Sequence, residues 1–141
     1  YLVLNNEKNK LIAYYTLAAT SVIYSETKDI TAKRNIEEVK IRGFPAIEIK
    51  MFAVSKSYQN YTYYSKEFGP KILSDMILGA VIGNIYNYAT ERLGIRMIIL
   101  YSTEEGFKFY KRNNFEELES YIPLYSEYTK DCIPMYLRLF D

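Results

Sequence analysis

The side chains available for chemistry in this chain are unusually restricted. Its 141 residues include 16 tyrosines and 7 phenylalanines, but one cysteine and no histidine. Without histidine, catalytic triads built on an imidazole base, histidine metal sites and histidine pH switches are all closed. Cys132 alone forms neither an internal disulfide nor a cysteine zinc cluster, so no metal site is expected. With no imidazole to activate it, it reads as a small apolar filler beside the last strand. Any acid–base work must therefore fall on tyrosine and carboxylate. The most specific spacing lies in Thr103-Glu-Glu-Gly106-Phe-Lys-Phe109-Tyr110-Lys-Arg-Asn-Asn114-Phe115, which follows directly on an apolar run.

Composition bounds the rest. A chain that is 49% hydrophobic and 25% charged is an ordinary globular domain. A chain of this length buries roughly 68–70% of its unfolded surface, enough for a core of its own. We read residues 1–141 as one domain, with no internal repeat and no linker rich in proline, glycine or serine. Eighteen basic against 17 acidic residues leave a net charge of +1, which does not by itself call for a nucleic-acid backbone as partner. The uncharged run from Leu11 to Tyr24 is too short for a membrane span and carries threonine, serine and tyrosine. With no targeting segment visible, a reducing, cytoplasmic setting is expected. Tyr1-Leu-Val-Leu4 already reads as a strand, so the natural protein is expected to begin upstream.

The elements that must position these residues follow from periodicity and punctuation. Residues 1–4 and the strand from Leu11 to Ile23 form a hairpin through an asparagine-rich turn. Residues 28–42 are charged and irregular, with a helical turn expected around Ile36 to Val39. Pro45 opens a second strand, 46–54. Its alternation puts Ile47, Ile49, Met51 and Ala53 on one face and Glu48, Lys50, Phe52 and Val54 on the other. Residues 55–70 read as a long polar loop in which Tyr58, Tyr61, Tyr63 and Tyr64 are either an aromatic lid or loop filler. Ser74 is the expected N-cap of a helix running to about Leu93, with Gly94 as its C-cap. That helix is apolar around most of its circumference and should pack on more than one side. Arg96 to Tyr101 reads as a parallel strand covered on both faces, completing a right-handed βαβ unit. A short helix from Glu104 to about Asn113 and a final strand, 133–140, complete an α/β fold with a mixed sheet.

The Thr103–Phe115 segment resembles the closing motif of the GNAT acyltransferases, the acetyl-CoA-dependent N-acetyltransferase superfamily. In that motif a small residue precedes Phe-Tyr, and Gly-Phe follows three residues later. Gly106 takes the small position here, and Asn114-Phe115 replace Gly-Phe. Asparagine is the non-glycine residue most at home in the left-handed conformation at a helix end. Strand 46–54 resembles the family's central strand, which splays from its neighbour and holds pantetheine with backbone groups. Tyr14-Tyr15-Thr-Leu17-Ala18 resembles the preceding strand, particularly in the branch that includes toxins acetylating aminoacyl-tRNA. The family's pyrophosphate loop, Gln/Arg-x-x-Gly-x-Gly/Ala, is degenerate. Gln59-Asn60 starts like it, yet alignment from the helix end falls on Ser74 to Ala80, where Gly79 alone survives.

The resemblance implies a mostly antiparallel mixed sheet around the βαβ unit, without the family's first strand and first two helices. It implies transfer of acetyl from acetyl-CoA to a primary amine by direct attack. Tyr110 would protonate the leaving thiolate, since a phenol with a pKa near 10 is protonated at neutral pH and matches a thiol. Glu48 would be the general base, and backbone N–H groups along Phe52, Ala53 and Val54 would hold the oxyanion. Equally available to Glu48 is a plain ion pair with Lys50. Ser74, Met76, Ile77 and Gly79, with Thr103 and Phe109, would line the cofactor. Asp75 brings a negative charge to the place of the pyrophosphate, which Lys71 would offset. Arg112 is a solvated helix residue or a cofactor contact. Partners would be a small or macromolecular amine, with aminoacyl-tRNA, an antitoxin and a second copy of the chain as further candidates. The alternatives are an inactive acyl-CoA-binding domain and an interaction module that kept the fold without the cofactor.

Overall fold

The computed structural model describes residues 1–140 apart from 6, 8, 28–38, 68, 90–93 and 120–125. The chain runs β1 (Leu2–Asn5), β2 (Lys10–Thr27), β3 (Val39–Val54), a 3-10 turn (Lys56–Tyr58), β4 (Thr62–Ser65) and β5 (Gly69–Ile72). It continues through α1 (Leu73–Tyr88), β6 (Met97–Ser102), α2 (Glu104–Arg112), β7 (Glu116–Glu117) and β8 (Ile133–Arg138). Six strands form one sheet in the order β1-β2-β3-β6-β8-β7, and β4 pairs with β5 in a separate hairpin. Among the described residues only β3 and β6 are parallel; every other neighbouring pair is antiparallel. The mixed, mostly antiparallel α/β architecture expected from the sequence is therefore present, with β3-α1-β6 at its centre.

Two apolar clusters sandwich the sheet. One joins Tyr15, Ile47, Ile49, Ile98 and Leu100 from the strands to Leu78, Val81 and Ile85 of α1 and to Phe115. The other gathers Val22, Ala46, Met97, Ile99 and Leu118. The alternation of Met97, Ile98, Ile99 and Leu100 between the two clusters explains the unbroken apolar run of β6, which is buried on both faces as a parallel strand should be.

Several expectations need correction. The stretch 55–70 is not a loop. It forms the 3-10 turn and the β4–β5 hairpin, in which Tyr63 faces Lys71 and Tyr64 faces Pro70. Helix α1 begins at Leu73 with Ile72 in the capping position, so Ser74 lies inside the first turn and makes no cap. The buried residues Ser74, Ile77, Leu78, Val81 and Ile85 fall on a single stripe, so among the described residues α1 packs on one side. Gly79 and Gly83 lie on its exposed side, where a Cβ would meet nothing within 4 Å. Within the described residues α1 ends at Tyr88 with Ala89 as its C-cap. Gly94 does take the left-handed conformation (φ 58°). The strand expected to open at Pro45 starts at Val39 instead. Parallel pairing with β6 begins only at Ala46, and the Arg96 N–H donates to the Pro45 carbonyl (3.0 Å), so Pro45 stands at the margin of that ladder, where a missing donor is tolerated. The helical turn expected at 36–39 lies largely outside the described residues. No helix among the described residues is long and apolar enough to cross a membrane.

Candidate active site

The central feature is an interruption in the sheet. Strands β3 and β6 pair from Ala46↔Met97 to Ile49↔Leu100 and then part, although β3 continues to Val54 and β6 to Ser102. On its other side β3 stays paired with β2 as far as Ala13↔Val54. The cause is local: Thr16 faces Met51 while Leu17 faces Ile49, which leaves Lys50 as an extra residue in β3. Such a β-bulge bends its strand and increases the twist, turning the rest of β3 away from a straight neighbour. The separation opens a cleft of about 750 Å³ between Lys50–Val54 and Tyr101–Thr103, within the size range of small-molecule sites. Along that edge the backbone of β3 has no partner strand among the described residues, and exposed N–H and C=O groups of this kind require partners. Gln59 already meets one such need by donating from Nε2 to the Val54 carbonyl at 3.0 Å.

The bulge also reverses the alternation of β3. Phe52 packs with the cluster that holds Ile47 and Ile49, and Met51 is exposed, opposite to the faces expected from an unbroken strand. Glu48 therefore does not share a face with Phe52. It lies outside the cleft lining, with its carboxylate 3.5 Å from the Lys50 ammonium. The expected ion pair is present.

Helix α2 supplies the other wall. Thr103 caps it, its hydroxyl accepting from the Gly106 N–H at 3.2 Å, which occupies the side chain expected to meet a ligand. Its far end closes with a Schellman motif: the Phe115 N–H donates to the Tyr110 carbonyl (3.1 Å) and the Asn114 N–H to the Lys111 carbonyl (3.2 Å). Asn114 sits at φ 66°, the left-handed conformation that its place in the motif requires. Phe115, 1% exposed, meets the Tyr110 ring edge-on at 5.8 Å between centroids. Phe109 stacks on Phe52 at 5.8 Å, tying α2 to the open part of β3. Gly106 is small for a visible reason: a Cβ there would stand 3.1 Å from Ser102 Oγ and 3.4 Å from the Tyr110 ring. Tyr110 lines the cleft, and burial raises the pKa of its phenol above the usual 10.0, so it is protonated at neutral pH.

The structure thus gathers Phe52, Ala53, Val54, Ser74, Thr103, Phe109 and Tyr110 around one cleft. Four expected cofactor residues lie elsewhere. Met76 and Gly79 face outward from α1, Ile77 is buried in the interior, and Lys71 stands on the hairpin opposite Tyr63. Tyr58, Tyr61, Tyr63 and Tyr64 do not line the cleft either. Residues that sequence reasoning passed over as site residues do line it, among them Tyr14, Lys50 and Ser102, and so do Gln59 and Arg112, the latter in keeping with the cofactor-contact alternative given for it. Gln59-Asn60 carried a usable signal in its likeness to the start of a pyrophosphate motif. Ser102 carried none, because a serine at the end of an apolar strand is read as punctuation. It is buried, and its hydroxyl donates to the Thr103 carbonyl at 2.8 Å.

At the head of α1 the charge of Asp75 is met by Arg112 rather than by Lys71. Asp75 Oδ1 accepts from Arg112 Nε (3.1 Å) and Nη2 (2.9 Å) and from Asn113 Nδ2 (3.0 Å). The Arg112 guanidinium also lies over the Phe109 ring, 5.1 Å from its centroid. Among the described residues, no cluster of acidic or cysteine side chains is suited to a metal ion.

A parallel strand pair that opens beyond a bulge, with an intervening helix heading the gap and a capped second helix along its side, is the GNAT acyltransferase fold. Solved structures agree. A bacterial toxin superposes with a TM-score of 0.64 at 16% identity, over 98% of this chain and 65% of that one. The KacTA–DNA complex gives 0.59 at 15% identity, over 98% and 65%. AtaTR bound with acetyl-CoA gives 0.56 at 17% identity, over 99% and 69%. The chain thus spans about 65% of the length of the first of these neighbours. No protein-family model matches the chain, and no curated protein sequence does.

Proposed function

We propose that this chain is an N-acetyltransferase that moves the acetyl group of acetyl-CoA onto a primary amine in the cytoplasm. The observation that supports it most is the open edge of β3 from Lys50 to Val54, facing Tyr110 across one cleft. An unpaired strand edge offers alternating N–H and C=O groups at the spacing of an amide-bearing arm such as pantetheine. Acetyl-CoA brings a thioester whose carbonyl carbon an amine can attack. Backbone N–H groups of Phe52 and Val54, which face away from β2, take up the charge on the carbonyl oxygen. As the carbon–sulfur bond breaks, Tyr110 passes its phenolic proton to the departing thiolate and is reprotonated from solvent. Glu48, on the other face of β3 and paired with Lys50, is not placed to take the amine's proton, which passes to solvent water.

For the acceptor, the α-amino group of an aminoacyl-tRNA comes first, because the neighbour AtaT has been solved with acetyl-methionyl-tRNAfMet. An antitoxin is the matching protein partner: AtaT has also been solved with the C-terminus of AtaR. A second reading, an acyl-CoA binder without turnover, is favoured by Asp75 at the head of α1 and by the lack of a glycine-rich loop there.

Thermal unfolding with and without acetyl-CoA separates binders from non-binders, since ligand at 100 times its Kd stabilises by about 2.7 kcal/mol. Release of free thiol on a panel of amines, aminoacyl-tRNA included, then separates enzyme from binder. Tyr110→Phe should lower that rate by about 10²–10⁴-fold while the thermal shift persists. No stabilisation at millimolar acetyl-CoA refutes both cofactor readings, and an unchanged rate in Tyr110→Phe removes that residue from the mechanism.

A further inference from the structure

The start of α1 is already supplied with an anion by the protein itself. Asp75 lies in the first turn of a 16-residue helix, where a negative charge is favoured by the N-terminal dipole. One of its oxygens accepts three hydrogen bonds, two from Arg112 and one from Asn113. Ser74, next to Asp75 in sequence, and Arg112, its partner, both line the cleft. Asn113 is held in turn by its second bond, from Nδ2 to the Phe109 carbonyl at 2.8 Å. Arg112 is poised on the Phe109 ring, leaving its guanidinium partly exposed beside the cleft. Geometrically, the carboxylate takes the role that a phosphate oxygen would take between a helix start and an arginine fork.

We infer that Asp75 is a built-in competitor for the phosphate-bearing end of the ligand, and that Arg112 is the cation for which the two compete. The inference rests on the acetyl-CoA reading of the cleft. In the free protein the guanidinium is satisfied by Asp75. Entry of a phosphate-bearing thioester transfers it from carboxylate to phosphate, and Asn113 keeps Asp75 in place beside Phe109. The exchange makes affinity depend on the difference between two ion pairs, so this chain binds its ligand more weakly than its cleft alone would allow. No covalent bond changes; only hydrogen bonds are exchanged.

The experiment is calorimetric titration of wild type, Asp75→Asn and Arg112→Gln with acetyl-CoA and, separately, with S-acetylpantetheine, which shares the thioester arm but carries no phosphate. The amide introduced by Asp75→Asn is isosteric with the carboxylate and still able to accept from Asn113, so the fold has no reason to change; circular dichroism checks this. Asp75→Asn should tighten acetyl-CoA binding about tenfold and leave S-acetylpantetheine unchanged. Arg112→Gln should weaken acetyl-CoA binding about tenfold, again without effect on the phosphate-free analogue. If wild type binds acetyl-CoA and Asp75→Asn binds it equally or less tightly, the competition is refuted while the cofactor reading stands. If S-acetylpantetheine binding shifts as much as acetyl-CoA binding, the effect is not on phosphate and the inference falls. If no protein binds either thioester, the cofactor reading fails first and the competition with it.

Discussion

Truncation of Phe115 to alanine tests whether the turn after α2 is what holds Tyr110. Phe115 is 1% exposed and belongs to the main apolar cluster with Leu78, Ile85, Ile98 and Met135. Its ring also closes the Schellman motif by meeting Tyr110 edge-on. Removing a fully buried phenyl ring costs about 3–5 kcal/mol, from lost transfer energy and the cavity left behind. Of that, about 0.5–1.5 kcal/mol belongs to the aromatic pair. Since a domain of this kind is stable by about 5–15 kcal/mol, the variant should fold but with a large fraction of its margin gone. The assay is urea unfolding followed by far-ultraviolet circular dichroism, because the chain has no tryptophan to report by fluorescence. With an m-value of about 2 kcal/mol/M, the midpoint should fall by about 2 M. Tyr128, 94% exposed, is the control, and Tyr128→Ala should stay within about 0.5 kcal/mol of wild type. A loss below about 1.5 kcal/mol in Phe115→Ala, half the smallest cost of such a truncation, would show that the motif's apolar contact is not what anchors α2.

Other perturbations have defined outcomes. Thr103→Ala removes the hydroxyl that caps α2 through the Gly106 N–H and should cost about 1 kcal/mol in urea unfolding, with Thr103→Ser recovering most of it; equal losses in both would place the effect elsewhere. The raised pKa of Tyr110 also carries a sign. The folded state holds its proton more tightly than the unfolded chain, so this contribution is complete below about pH 10 and is lost as pH climbs through the folded value. Thermal unfolding between about pH 9 and 11 should thus fall more steeply for wild type than for Tyr110→Phe, and parallel curves would contradict the assigned burial.

Much of this architecture was legible in the residues. The unbroken apolar run of β6 announced a strand buried on both faces, and Asn114 announced a left-handed helix end. The same spacing that made Gly106, Phe109 and Tyr110 stand out brought them to one wall of the cleft. What escaped was of a different kind. The bulge at Lys50 leaves no mark in local propensity, because it is set by how β2 and β3 fit together over many residues, yet it decides on which side Phe52 lies. The hairpin at 62–72 hid in a polar, tyrosine-rich stretch whose alternation is short and whose apolar face is weak. The partner of Asp75 could not be read locally, since Arg112 is 37 positions away and either it or Lys71 would have satisfied the charge.

The extra residue in β3 also governs which changes of length the chain can absorb. A residue added to or removed from the exposed β4–β5 turn alters only a peripheral ribbon. Removal of Lys50 would do something no substitution can: Met51 would follow Ile49 in an unbroken alternation, so the side chains from Met51 to Val54 would keep their faces while the bend that turns β3 aside was lost. The strand would then have no reason to diverge from β6, and the gap would tend to zip shut. Length variation at this one position is therefore more disruptive than almost any exchange of side chains along the cleft, so comparisons among similar chains should weigh a gap here far more heavily than a mismatch.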